Sequence, residues 1–423
     1  MPQMSGGATS RAIPGPVQDA LEREGWRRGR GVLVAMSGGV DSAVAAGLLA
    51  AGGGLDVVGA TLKVFCYGDR GPSARGCCSL DDIQAARRTA VRLGLRHIVL
   101  DLEESFRRTV IDDFIDEYGR GRTPNPCVRC NTFVKFGTLI GWAEKLGLEG
   151  VATGHYVRKV AVTGDDGEPG WVLARGRDVR KDQSYVLWGL HPSLLDRFLF
   201  PVGELEKRDV RRLAGEMAPL VADKPESQDI CFVGDRHYTD FLREEGGGRL
   251  PLSEEGPIRM GGALLGRHRG LIRYTVGQRR GLGVTSPTKN PLYVLRLDTE
   301  TNTLWVGERS DLESRGLVAD QRRLHGPARS LTEGGLTVQI RAHQEAVGVA
   351  SLDLLEGGRF RVEFSEPVNA VSPGQSAVLY RGDRLVAGGR IVKSLPRADR
   401  ARSHNAEHAL LKGPGEGGEG RPY

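Results

Sequence analysis

No stretch of the 423 residues approaches the ~18 consecutive apolar positions of a membrane-spanning helix, and the first thirty residues hold no apolar run of the kind that marks a secretory signal. Cysteine is scarce as well. Six cysteines in a chain long enough to bury sizeable cores do not make a covalent scaffold, which excludes the disulfide-rich secreted class. The expectation is a cytoplasmic, reducing setting with no membrane partner. Charge is nearly balanced, with 59 Lys and Arg against 53 Asp and Glu, so a nucleic-acid surface has to come from uneven distribution. One stretch is lopsided in this way. From 256 to 297 there is no acidic residue, but Arg259, Arg267, Arg269, Arg273, Arg279, Arg280, Lys289 and Arg296 are all present.

The chain carries patterns for about three domains, at roughly 150 residues each. Between 31 and 153, β-branched runs at 32–35, 57–62, 97–100 and 150–153 alternate with helical spacing at 42–51, 81–93, 106–118 and 132–146. Ser105 is the expected N-cap of the third helix. Residues 156–162 and 171–174 read as a hairpin, and 207–217 as a helix. Beyond 293, short runs at 293–297, 303–306, 337–341, 359–364 and 376–380 are separated by Gly, Asp and Pro turns. The expected fold class is α/β: an N-terminal doubly wound parallel sheet, a small central domain and a C-terminal all-β barrel. The expected divisions are a flexible tail over 1–29 that runs into a short helix, domains over 30–224, 225–290 and 291–396, and a disordered tail over 397–423.

The first strand runs into Met36-Ser37-Gly38-Gly39-Val40-Asp41-Ser42 and then a helix. A glycine-rich turn at a helix N-terminus lets the backbone approach an anion, with unpaired N–H groups and the helix dipole favouring negative charge. Ser37 and Ser42 add hydroxyls, and Asp41 among phosphates is expected to meet Mg²⁺. The Gly-Lys-Ser/Thr of a Walker loop is absent. The string Ser-Gly-Gly-Val-Asp-Ser resembles the pyrophosphate loop of the N-type ATP pyrophosphatases, which cleave ATP to AMP and pyrophosphate.

Two cysteine positions stand out. Cys127 and Cys130 lie in Pro124-Asn125-Pro126-Cys127-Val128-Arg129-Cys130-Asn131, ahead of a helix expected near Thr132, so that Cys130 would start the helix and have a lowered thiol pKa. Cys231 has an apolar neighbour on each side, as in a strand or its end. Three readings are open: a buried small hydrophobe, a structural zinc site combining Cys127 and Cys130 with Cys77 and Cys78, or sulfur transfer in which one cysteine carries a persulfide and another resolves it.

The loop and the cysteines occur together with Gly154-His155-Tyr156, Lys181-Asp182-Gln183-Ser184-Tyr185, the 200–207 string, Ile230-Cys231-Phe232, Thr275-Val276-Gly277-Gln278-Arg279 and Pro373-Gly374-Gln375-Ser376. In this order the set resembles the tRNA-specific 2-thiouridylase family from residue 31 to about 395. The resemblance implies ATP-dependent 2-thiolation of the wobble uridine of tRNA, with residues 30–224 as the ATP pyrophosphatase domain. It puts ATP on Ala35, Met36, Ser37, Gly38, Gly39, Val40, Asp41, Ser42, Leu62 and Gly154. The nucleophile falls on Cys130 and the persulfide on Cys231. It also puts the target base near Asn125, Pro126 and Cys127, and tRNA contacts on His155, Lys181, Asp182, Gln183, Arg341, Ala342 and Gln375.

The family commonly has Asp at the position of Cys127. Cys127, Cys130 and Cys231 instead make a three-thiolate set able to hold a 4Fe-4S cluster, so that cluster-bound sulfide and cysteine persulfide are both open routes. A sulfur-donor protein or persulfide carrier is the implied partner, and the free chain is expected to be a monomer. The acid-free segment 256–297 suits RNA phosphates. A ligase acting on a small molecule would leave Cys130 and Cys231 without a role, and an ATP-sensing RNA-binding protein would not turn ATP over.

Overall fold

The computed structural model describes residues 13–52, 54–65, 80–225, 230–234, 236–250 and 254–396. It begins with α1 (Gly15–Arg23), β1 (Gly31–Ala35), α2 (Val40–Ala51), β2 (Asp56–Lys63), α3 (Leu80–Arg92) and β3 (Arg96–Asp101). Helices α4 (Glu103–Phe106) and α5 (Asp112–Gly119) are joined by a π-helical turn, Arg107–Ile111, and α6 (Pro126–Arg129) and α7 (Gly137–Lys145) by another, Cys130–Phe136. After them come β4 (Gly150–Ala152), β5 (Val157–Thr163), β6 (Pro169–Arg175), β7 (Phe198–Leu199), α8 (Lys207–Met217) and α9 (Tyr238–Gly246).

The first sheet has the order β3-β2-β1-β4-β7, parallel throughout. The interior of β1 is Val-Leu-Val and completely buried, as a strand covered on both faces requires. Strands β2 and β3 build outward on one side of β1, and β4 and β7 on the other. The order therefore reverses at β1 and β4, and the crevice beyond their carboxyl ends is where an open α/β sheet takes its ligand. Residues 36–39 and Gly154 lie there.

A second sheet contains β8 (Gly256–Met260), β9 (Ala263–His268), β10 (Tyr293–Asp298) and β11 (Thr303–Gly307), in the order β10-β11-β8-β9. The last unit comprises β12 (Glu313–Leu324), β13 (Leu336–Gln339), β14 (Val347–Leu355), β15 (Arg359–Asn369), β16 (Ser376–Arg381) and β17 (Arg384–Pro396). It closes on itself through β12 and β17, which leaves no open edge among these six strands. The expected β5–β6 hairpin forms and extends this sheet from β17, at Arg384 opposite Ala174.

The short helix expected at the end of the N-terminal tail spans residues 15–23 and is packed, with Val17, Ala20 and Leu21 buried. Several local expectations are corrected. The helix expected to begin after Ser105 starts at Glu103, whose N–H is taken by Asp101 Oδ1 at 3.2 Å. The helix expected near Thr132 starts at Pro126, because Asn125 caps it through the Cys127 N–H at 3.2 Å and Pro126 needs no donor in the first turn. Strands β10 and β11, read with the barrel, pair with β8 and β9 instead, since alternation marks a strand without naming its partner. Residue 231 lies in a turn, not a strand. The reading of 397–423 as disordered falls outside the described residues, as do Cys66, Cys77 and Cys78.

Candidate active site

The turn after β1 builds an anion cradle from its own backbone. Gly38 adopts φ +73°, and a Cβ there would stand 2.3 Å from the Asp82 carbonyl oxygen, so only glycine fits. Ser42 Oγ accepts from the Ser37 N–H at 3.1 Å, donates to the Gly39 carbonyl at 3.1 Å and lies 3.2 Å from Ser37 Oγ. The loop is thus tied to the first turn of α2, whose dipole points its positive end at the crevice. Gly154 seals the other side, where a Cβ would lie 2.6 Å from Ser42 N. Met36 is buried and Ala35 half-buried at the end of β1, while Leu62 is buried on β2. The Met36 carbonyl accepts from Thr61 Oγ1 at 2.8 Å, which fixes where β1 turns into the loop.

Asp41 does not face the crevice alone. Lys207, at the start of α8, donates from Nζ to Oδ1 at 2.7 Å and to Oδ2 at 2.9 Å, and the Tyr156 hydroxyl donates to Oδ1 at 2.8 Å. The Lys207 ammonium also lies 5.6 Å from the centroid of the Tyr156 ring. Lys224 donates to the Gly38 carbonyl at 3.1 Å and pairs with Asp82. Sequence reasoning missed both lysines. Lys207 closes the 200–207 string and Tyr156 sits in Gly-His-Tyr, but nothing local links either of them to Asp41.

The thiols lie along one helix and one turn. Cys127 occupies the second helical position and is exposed; it, rather than Cys130, has the helix-terminal place expected to favour a thiolate. Cys130 is one turn further in, 8% exposed, at the first residue of the π-helical segment, a distortion that occurs frequently at functional sites. Beside it, Asn131 is 2% exposed and donates to the Val186 carbonyl at 3.3 Å. Cys231 is half-buried and packs against the same apolar cluster that contains Cys130. Its neighbour Phe232 anchors this turn, with its ring 5.7 Å from Phe106, 5.2 Å from Phe114 and 5.1 Å from Phe241.

Among the described residues, no three Cys, His, Asp or Glu side chains gather as a metal-holding group. Cys127, Cys130 and Cys231 therefore do not converge as the ligands of a single metal ion.

The remaining expected contact residues are built into the scaffold around this site. His155 packs its ring 5.7 Å from Phe136 and shares a 2.8 Å hydrogen bond with Thr153 Oγ1. Desolvation, and then Lys135, push its pKa down to about 3, so it is neutral at pH 7. Asp182 accepts from Gly176 N and Ser184 N and pairs with Arg175 at 2.9 Å, while the Gln183 side chain accepts from Tyr156 N at 3.0 Å. Lys181 is half-buried at the end of that short turn. Gln375 donates to the Thr123 carbonyl at 2.9 Å, and Pro373 O accepts from Thr123 N at 2.9 Å, so the barrel clamps the loop leading to Asn125, Pro126 and Cys127. Arg341 donates to Ala370 O at 2.8 Å, and Gln339 holds the carbonyls of Arg341 and Ala342, each at 2.9 Å.

In the acid-free stretch, Arg259 bonds Gly262 O, Arg267 pairs with Glu255 and Arg296 with Asp298. Arg269, Arg279, Arg280 and Lys289 face solvent.

Family models match three consecutive parts of the chain: a tRNA methyl transferase HUP domain over 30–235, a tRNA methyl transferase PRC-barrel domain over 245–308 and an aminomethyltransferase beta-barrel domain over 314–391. The tRNA-specific 2-thiouridylase MnmA of Herpetosiphon aurantiacus is 44% identical over 362 residues, covering 85% of this chain and 98% of its own. That of Geobacter metallireducens is 45% identical over 365 residues, covering 85% and 96%. Among solved structures, a U34-tRNA thiolase from Methanococcus maripaludis with its 4Fe-4S cluster aligns at 20% identity and a TM-score of 0.32, covering 55% of this chain and 72% of that one. No helix among the described residues is long and apolar enough to cross a membrane. With all three parts matched in order and the MnmA relatives covered almost end to end, the chain belongs to the tRNA-specific 2-thiouridylase MnmA family and is a tRNA sulfurtransferase that uses ATP.

Proposed function

We propose that the protein thiolates C2 of the wobble uridine of tRNA in two stages, adenylation and then sulfur transfer from a cysteine persulfide. The observation that carries this reading is the pairing, in one chain, of a pyrophosphate-type loop tied to a helix N-terminus with two cysteines on one apolar cluster.

The C2 carbonyl of uracil belongs to a urea-like system and is a poor electrophile. Attack of its O2 on the α-phosphorus of ATP releases pyrophosphate and turns O2 into a leaving group. N–H groups of residues 37–40 and the start of α2 stabilise the charge that builds on the phosphates. Asp41 is the residue that would hold Mg²⁺, and a bound Mg²⁺ supplies further neutralisation of that charge. The terminal sulfur of a Cys231 persulfide then attacks C2, and AMP departs with the former O2. The Cys130 thiolate attacks Cys231 Sγ, breaks the sulfur–sulfur bond and leaves the thiocarbonyl on the base. The resulting Cys130–Cys231 disulfide is reopened by a thiol reductant, and a sulfur-donor protein or persulfide carrier reloads Cys231. The uridine leaves its stack to reach the pocket. Asn125, Pro126 and Cys127 lie near the base, and Arg269, Arg279, Arg280 and Lys289 meet the RNA backbone.

The test is pyrophosphate release from Mg-ATP with and without unmodified tRNA. Release that depends on tRNA and disappears in Asp41→Ala is expected. Equal release without tRNA would refute adenylation of the uridine.

A further inference from the structure

The helix that carries the thiols has a second face, and that face lines a cleft. Cys127, Cys130, Asn131 and Val134 follow one another at helical spacing on one side, whereas Asn125, Val128, Arg129, Thr132 and Phe133 fall on the opposite side. This opposite side, together with Trp188 and the barrel residues Gln321, Arg323, Ser376 and Arg390, lines a partly open cleft of about 90 Å³. Neither Cys127 nor Cys130 lines it.

The cleft is chemically unfinished. Arg390 Nε and Thr132 Oγ1 are buried without a hydrogen-bond partner, and polar groups are seldom buried in that state unless something else satisfies them. Of the cleft's three guanidinium groups, Arg129 pairs with Asp113 at 3.5 Å and Arg390 with Asp113 at 3.2 Å, Glu117 at 3.5 Å and Asp320 at 3.9 Å, which leaves Arg323 as the uncommitted one. Arg323 is half-buried and has neither an ion pair nor a side-chain hydrogen bond among the described residues. At the mouth, Phe133 leaves 48% of its surface exposed, with the Arg129 guanidinium 4.6 Å from its ring centroid. An aromatic face backed by a guanidinium is a stacking platform for a nucleobase, and unpaired guanidinium beyond it suits a phosphate.

The barrel side of the cleft is shaped for this. Strand β12 loses its register against β17 between Asp320 and Arg323, and Gln321 takes a left-handed φ of +54° inside that bulge. A bulge re-aims side chains, and a non-glycine residue at positive φ in such a place is a strain typical of functional sites.

We propose that this cleft takes up an unstacked nucleotide of the tRNA adjacent to the modified uridine, its base on Phe133 and Arg129 and its phosphate on Arg323. The assignment rests on the reading that the thiol face of the helix receives the uridine itself. The opposite face then grips its neighbour and holds the extruded loop on both sides of one helix.

The test is a cycle of binding constants for the full-length protein and an anticodon stem–loop RNA, measured without ATP or a sulfur source, so that failure of the sulfur chemistry does not obscure it. Wild type and Phe133→Ala are titrated with intact stem–loop and with stem–loops made abasic at the target uridine or at either flanking nucleotide. The abasic change at one flanking position should weaken wild-type binding about tenfold, the scale of one lost base stack, and should barely weaken Phe133→Ala. Arg323→Ala should lower the slope of log K against log salt by about one. Losses that simply add, for both flanking positions, would overturn the proposal. So would coupling of Phe133 to the target uridine instead. Unchanged RNA binding in both variants, with slower sulfur loading from a donor protein, would make the cleft a protein-docking site and equally overturn it.

Discussion

Lys207 Nζ donates to both carboxylate oxygens of Asp41, at 2.7 and 2.9 Å, across 166 residues of sequence. The loop carries no lysine of its own, unlike a Walker loop, and this pair delivers a cation to it from α8. Lys207 is 8% exposed, so its ammonium has little water to fall back on. Replacing it by Met removes a charge-assisted contact and leaves Asp41 partly buried with only Tyr156. Lys207→Met is expected to weaken ATP binding by about tenfold or more, with Lys207→Arg in between. Equilibrium dialysis with ATP measures this, and wild-type affinity in Lys207→Met would remove Lys207 from the site.

Stability should fall in mild acid for a reason separate from activity. His325 is 1% exposed and bonds the Trp188 carbonyl at 2.7 Å. Burial pushes its pKa down to about 4. The unfolded chain takes up the proton near pH 6.5, so the folded state keeps its full advantage above that pH and loses it progressively towards pH 4. At pH 5 the loss from this group is about 2 kcal/mol. His155, held near 3, works in the same direction. Urea unfolding at pH 7.5 and pH 5 should show a smaller drop for His325→Gln than for wild type, and equal drops would contradict the assignment.

The N-terminal helix is fastened by a buried ion pair. Lys159 Nζ lies 2.9 Å from Glu24 Oε2, with side-chain exposures of 1% and 8%, and also donates to the Leu195 carbonyl at 2.8 Å. Lys159→Met strands the Glu24 carboxylate and should cost about 3 kcal/mol of unfolding free energy. Adding Glu24→Gln should restore part of it. A double variant as unstable as the single one would show that the pair is not the cause.

Binding to RNA should depend on the exposed cations of the acid-free stretch. Arg279 and Arg280 face solvent beside Gln278, whose side chain bonds the Arg280 carbonyl at 3.0 Å. Replacing both with Ala should flatten the salt dependence of tRNA binding by about two units of slope. An unchanged slope would place the RNA backbone elsewhere.

The parts of the fold that were legible in the sequence are those fixed by local chemistry. The Val-Leu-Val strand and the Gly-Gly turn announce β1 and its loop, β15 declares itself by alternation, and β16 by a short apolar run between turns. Pairing between distant residues was not legible. Nothing near Asp41 reports Lys207, nothing near Thr123 reports Gln375, and β10 gives no sign that it joins β11 and β8 rather than the barrel. The start of the cysteine helix was misread because the Asn125-Pro126 pair looks like a loop restraint when it is a cap and first turn. That shift moves Cys127, not Cys130, to the helix end.

The central claim, sulfur transfer through Cys231 and Cys130, is tested most directly by anaerobic incubation of purified protein with unmodified tRNA, Mg-ATP and a sulfur donor, followed by digestion and mass spectrometry for 2-thiouridine. Iron-free wild type should form the product, and Cys231→Ser should form none while still binding tRNA and releasing pyrophosphate. A fully active Cys231→Ser, or product only from iron-loaded protein, would contradict the persulfide relay.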